Sequence, residues 1–182
     1  MTNSNPNAIL HFWFKEISAE QWWLKDLVFD QEIKSRFLNL HRAANKGELF
    51  GWRDTAQGRL AEIIILDQFS RNIYRESPQA FASDPLALVL AQEAIALGLD
   101  MKLAENQRSF FYLPYMHSES LLIHSQAIML YEKLGNASNL AFEIKHQDII
   151  KKFARYPHRN AILGRKSSAE EVAFLQQPDS AF

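Results

Sequence analysis

Three stretches of this chain set polar, chemistry-bearing side chains between apolar ones. The first is Leu66-Asp67-Gln68-Phe69-Ser70-Arg71-Asn72-Ile73-Tyr74-Arg75, where Asp67 and Arg71 stand one helical turn apart. That spacing suits a charge-assisted hydrogen bond, and Asn72 adds an amide donor beside it. The second is His117-Ser118-Glu119, directly after the aromatic run Phe110 to Met116. An imidazole and a carboxylate there can act as acid, base or ligand pair. The third runs from Arg155 to Arg165 and holds His158, Arg159 and Asn160 after Pro157. Arginine forks and a histidine after a proline turn suit a carboxylate or phosphate. The Arg-Asn pair of the first stretch recurs at Arg159-Asn160. Each feature also has a structural reading. Asp67 and Arg71 can close a core helix, Ser118 and Glu119 are what a helix start requires, and the arginines can pair with acids such as Asp67 and Glu119.

Other chemistries have weaker support. Glu143 and His146 have the Glu-x-x-His spacing of helical di-metal sites, but such sites need two such motifs and this chain has one. His117, Glu119, His146, Asp148 and His158 reach a common metal only if the fold gathers them. No metal or cofactor is expected. With no Cys there is no disulfide, thiolate ligand or cysteine nucleophile. Gly-x-Gly-x-x-Gly, P-loop and Gly-x-Ser-x-Gly patterns are absent.

Charge is unevenly spread. Residues 145–166 hold seven Lys or Arg and one acid, a local charge of +6, while the remainder holds 13 cations and 20 acids, or −7. The total of −1 opposes binding of a bulk polyanion, so nucleic acid is not the expected partner, yet a local anion site is permitted. The longest apolar runs, Leu86 to Ala91 and Phe110 to Leu113, are far short of a membrane span, and Met1 to Asn7 has no signal-peptide pattern. A cytoplasmic location is the resulting expectation.

These side chains must be placed by helices. At 182 residues, 47% hydrophobic and with six Gly and six Pro, the chain reads as one all-α domain over 1–182. Ser18 with Gln21 and Ser167 with Glu170 have capping-box spacing. Asp30, Thr55, Asp84 and Ser118 are further expected starts, and Gly47, Gly98 and Gly135 expected ends. Leu60 to Leu66 is apolar nearly all round and belongs at the centre. Phe12-Trp13-Phe14 and Trp22-Trp23 are read as large side chains filling an irregular stack.

The three polar stretches, with Phe12-Trp13-Phe14 near the start and Glu170-Glu171 before Phe174-Leu175, closely resemble the signature stretches of the bacterial domain of unknown function 924 family (DUF924). The resemblance covers about residues 9 to 175 and departs at Ala56 and Ser70, where the family usually has Pro. It implies an irregular stack of antiparallel helical hairpins similar to a tetratricopeptide-like array, and it assigns no reaction. The expectation from the residues is a cleft gathering Asp67, Arg71, Asn72, His117, Glu119, His158, Arg159 and Asn160 around an anionic small molecule or peptide. The alternatives are a hydrolase-like or metal-assisted enzyme using His117 or His158, and an interaction scaffold whose polar network is structural.

Overall fold

The first N–H groups of a helix have no partner within it, so the side chain just before often decides where the helix begins. A computed structural model of the chain describes residues 5–178 and 180, and all its regular structure is helical. Asn5 caps α1 (Pro6–His11), which widens into a π-helical turn over Phe12–Glu16. The Ser18–Gln21 capping box forms as expected, at a short 3₁₀ turn, Ala19–Trp22. Asp26, not Asp30, caps α2 (Leu27–Asn45), and Asp30 is turned inward in its first turn. Thr55 caps α3 (Ala56–Ile64) as expected. A π turn, Ile65–Phe69, joins α3 to α4 (Ser70–Ile73) without a break.

α5 (Asp84–Ala96) has Ser83 at its cap position, so Asp84 lies inside the helix. α6 (Glu105–Met116) runs through Pro114, further than expected. α7 (Leu121–Leu134) starts after Ser120, so Ser118 and Glu119 lie outside it and are released for other bonds. α8 (Ala137–Phe153) is capped by Asn136, and α9 (Ala169–Leu175) by a capping box of Ser168 and Glu171, one residue later than expected. Among the described residues no helix is long and apolar enough to cross a membrane.

The chain gathers into two compact units. One comprises the described residues through Arg75 together with Gln79–Pro114. The other comprises Glu76–Pro78 and the described residues from Tyr115. In the first unit α1 packs on α3, and α2 packs on α4 and on the π turn between α3 and α4. Leu60, Ala61, Ile63, Ile64, Ile65 and Leu66 are fully buried, as the all-round apolar pattern requires. Phe37 lies between Phe12 and Phe69 with ring centroids 4.9 Å from each. Phe110 packs 5.0 Å from Trp22 and 5.4 Å from Phe14, so the N-terminal aromatics do fill the stack. Trp23 is the exception, at 64% exposed. In the second unit α7 packs on α8 across the joint Gly135-Asn136. Ile149, Ile150 and Tyr156 form a core closed by Phe153 and Phe174.

Gly58 shows how tightly α3 is seated. A Cβ there would stand 1.9 Å from the Trp52 carbonyl oxygen, inside any permitted contact. Glycine inside a helix normally costs about 1 kcal/mol against alanine. Here the backbone clash reverses that sign, and Gly58→Ala should destabilise the fold by roughly 2 kcal/mol or more in urea unfolding. A stabilised Gly58→Ala variant would contradict this packing.

Candidate functional site

The first polar stretch lies in the first unit and is wired to acids there. Asp67, 1% exposed, sits on the π turn and accepts a 2.5 Å bond from the Gln68 amide. Arg71 donates to the Asp67 carbonyl at 2.6 Å, lies 3.4 Å from its carboxylate, and forks onto Asp84 at 3.0 and 3.1 Å. Asn72 donates to Asp30 at 2.9 Å, and the Arg75 guanidinium clamps the same carboxylate. The i,i+4 pair expected from sequence therefore forms, extended by Asp84, while Asp30 takes Asn72 and Arg75; the spacing revealed neither acid.

The second and third stretches meet in the second unit. Ala154 ends α8 in the left-handed region, φ 56°, and turns the chain into Arg155-Tyr156-Pro157. Glu119 accepts from both Arg165 terminal nitrogens at 2.6 and 2.8 Å and from the Tyr156 N–H at 2.7 Å. Burial alone would lift the Glu119 carboxyl, but the Arg165 fork and the Tyr156 N–H together hold it below the usual carboxylate range. Arg159 donates to the His117 carbonyl at 3.0 Å, and the Tyr156 hydroxyl donates to the Met116 carbonyl. Asn160 is fully buried and donates to Ser167 at 3.1 Å. Arg155 forks onto Glu171 at 2.6 and 2.8 Å, and that guanidinium, helped by the Ser168 N–H, pulls Glu171 down to about 2. Of the eight residues expected at a site, His117, Glu119, His158, Arg159 and Asn160 thus belong to this unit, and Asp67, Arg71 and Asn72 to the other.

Tyr156 is the centre of this arrangement, a role that sequence reasoning missed. The imidazoles of His158, His146 and His124 lie 5.5, 5.7 and 6.3 Å from its ring, and the Arg159 guanidinium stacks 4.7 Å above it. His117 and His158 are half-buried, whereas His124 and His146 are buried. Burial pushes His146 down to about 3, although its Nδ1–H donates to the Phe142 carbonyl at 2.8 Å.

Beneath the cluster lies a pair of fully buried side chains, His124 and Glu143, with Nδ1 2.7 Å from Oε1. Proton counting limits its states. His124 Nε2 faces the Ser118 carbonyl at 2.8 Å, which only accepts, so Nε2 carries a hydrogen. The Tyr156 oxygen, 3.1 Å away, has given its proton to Met116 and accepts as well. One proton then remains for the Nδ1–Oε1 contact. Burial raises Glu143 against the opposing pull of His124, which shifts the balance of the shared proton toward the carboxyl. Glu143 is therefore committed to His124, and the Glu-x-x-His spacing does not create a joint ligand pair with His146. Among the described residues no group of three His, Cys, Asp or Glu is placed to hold a metal ion.

Glutamine presents the same donor as a protonated glutamate. Glu143→Gln should hold stability within about 1 kcal/mol of wild type, whereas Glu143→Ala should cost roughly 2–4 kcal/mol through the cavity and the stranded imidazole. Equal losses by chemical denaturation would contradict a proton held on the carboxyl. Buried histidines make a second expectation. His41 is lowered to about 4 and His146 to about 3, both chiefly by burial. Below their ordinary value of 6.5 the unfolded chain takes up protons that the folded chain does not, so stability falls as pH drops. Between pH 7.5 and 5 each should remove roughly 1–2 kcal/mol, read from urea midpoints at the two values. A flat profile would contradict it.

Comparison with known proteins gives a consistent placement. Residues 9–179 match the family described as bacterial protein of unknown function (DUF924). A solved structure of a protein of unknown function from Agrobacterium tumefaciens is similar, with 39% identity, a TM-score of 0.89, and coverage of 94% of this chain and 96% of that one. A search among curated proteins finds no match. With nearly its whole length matched, and with the fold shared by a relative at this identity, the chain belongs to the DUF924 family of bacterial proteins of unknown function.

Proposed function

We propose that this protein binds a small molecule or peptide through a carboxylate or phosphate group, held by His117, His158 and Arg159 of the second unit. One observation carries the reading: imidazoles and a guanidinium surround the Tyr156 ring while nearby acids are committed elsewhere. Glu119 is held by Arg165, Glu171 by Arg155 and Glu143 by His124. Those pairs satisfy the acids, and His117, His158 and Arg159 add imidazole and guanidinium donors. Arg159 is stiffened by its stacking on Tyr156 and its bond to the His117 carbonyl, so little of its freedom is lost on binding. Glu119 acts by bracing Arg165 and the Tyr156 backbone, as an orienting acid, and Asn160 fixes the turn through Ser167. Asp67, Arg71 and Asn72 belong to the other unit, where acids of the same unit bind them, so the reading does not require them as ligand contacts.

Calorimetric titration tests this with inorganic phosphate, succinate, and a tetrapeptide acid beside its C-terminal amide. At least one anion should bind wild type, and His117→Ala and His158→Ala should each weaken it about tenfold, the scale of one charge-assisted bond. Arg159→Lys should weaken it as well, since a point charge does not reproduce the fork. Binding that ignores all three substitutions, or an amide that binds as well as its acid, would overturn the proposal.

A further inference from the structure

The first unit contains an open cleft of about 340 Å³ lined in part by His41, Arg42, Asn45, Lys46, Tyr74 and Ser83. None of these side chains was expected at a site from sequence. Two cations, Arg42 and Lys46, stand one turn apart at the exposed end of α2. The carbonyls of that helix end are already met by the N–H groups of Lys46, Gly47 and Glu48, and Lys46 keeps a 3.8 Å contact with the exposed Glu48 carboxylate. Such an exposed pair is weak and leaves the ammonium open to exchange for a better anion.

His41 also lines the cleft, and its hydrogen positions follow by elimination. The Ser70 hydroxyl, fully buried, gives its one proton to the Leu66 carbonyl at 2.5 Å. It therefore accepts at its 2.7 Å contact with His41 Nε2, which must carry the hydrogen. This arrangement also excludes Ser70 as a nucleophile activated by His41, because the histidine donates to it. Burial, with the nearby Arg42 charge, lowers His41 to about 4, so the ring is neutral at ordinary pH. Nδ1 then carries a lone pair. Asn45 Nδ2 lies 3.4 Å from Nδ1 and 3.3 Å from Nε2, and makes its shorter bond, 3.0 Å, to the His41 carbonyl. Ser83 donates to the Asn45 side-chain oxygen at 2.8 Å and holds that amide in place. Tyr74 packs edge-on at 5.3 Å and holds the ring.

We infer that this cleft is a second ligand site, for a small anion that also carries a hydroxyl: the anionic group on Arg42 and Lys46, the hydroxyl donating to His41 Nδ1. A cleft of this volume takes a compact metabolite rather than a polymer. Hydroxy acids and polyol phosphates share this chemistry, and matched pairs separate them. Malate differs from succinate by one hydroxyl, and glycerol 3-phosphate from propyl phosphate by two.

The test is calorimetric titration of the full chain with these four compounds. The hydroxylated member of at least one pair should bind about tenfold more tightly than its partner, the scale of one hydrogen bond to a buried acceptor. The pair that shows this identifies the carboxylate or phosphate source. Arg42→Ala and Lys46→Ala lie on the surface and should each weaken binding several-fold without loss of fold. His41→Gln should erase the difference within a pair; if it unfolds, the two surface variants still decide. Equal binding within both pairs, or indifference to Arg42 and Lys46, would overturn the inference. The site is separate from the one around Tyr156: His158→Ala should leave hydroxyl discrimination unchanged, so failure of either proposal is read independently of the other.

Discussion

A carboxylate taken out of water must be met by donors, and this chain buries many. Glu62 is held by Arg53 at 2.7 Å, Asp30 by Arg75 and Asn72, Asp67 by Gln68 and Arg71, Asp100 by the Tyr112 hydroxyl, Glu171 by Arg155, and Glu143 by His124. Leaving such an acid unpartnered costs several kcal/mol, more than most single packing contacts supply. The arginines are therefore part of the architecture. Some act within one or two turns, as Arg71 does on Asp67, and others tie distant segments, as Arg75 does to Asp30 across 45 residues.

The same requirement shapes the neighbourhood of Tyr156. Glu119 is freed from a helix start because α7 begins at Leu121, and it then accepts from Arg165 and the Tyr156 backbone. That contact joins two motifs 37 residues apart and sets the tyrosine against His124, His146 and His158. The left-handed Ala154 supplies the turn. Its φ is uncommon for a residue with a Cβ, and the bonds that follow it hold the chain there. His124 is held through Glu143, His146 through the Phe142 carbonyl, and Arg159 through the His117 carbonyl and the Tyr156 ring.

Much of this was legible as pattern. All-round apolarity from Leu60 to Leu66 marked the centre, and Asp67 with Arg71 announced its pair. Helix ends were read a residue or more off where several capping residues stand together. Ser167 and Ser168 both precede glutamates at suitable distance, and Asp26 stands before Leu27-Val28-Phe29 while Asp30 stands before the stripe Ile33, Phe37, Leu40 and Ala44. Which one caps depends on which acid the rest of the fold needs buried: Asp30 goes inward to Arg75, and Asp26 is left for the helix. The π turns were not legible, since an extra residue in a helix leaves no compositional mark. Nor was His41, a lone histidine on an otherwise ordinary helix.

By itself, then, the sequence determined the all-α class, the core helix, the identity of the polar stretches and the family, because periodicity, capping and motif order are local properties of the chain. Only the tertiary structure decided which acid meets which base. The pairing of Glu119 with Arg165, the joining of His124 to Glu143, and the placing of His41 between Ser70 and an open cleft depend on contacts tens of residues apart. No spacing rule encodes those distances. They follow from the packing of whole helices, and from the cost of leaving any buried charge alone.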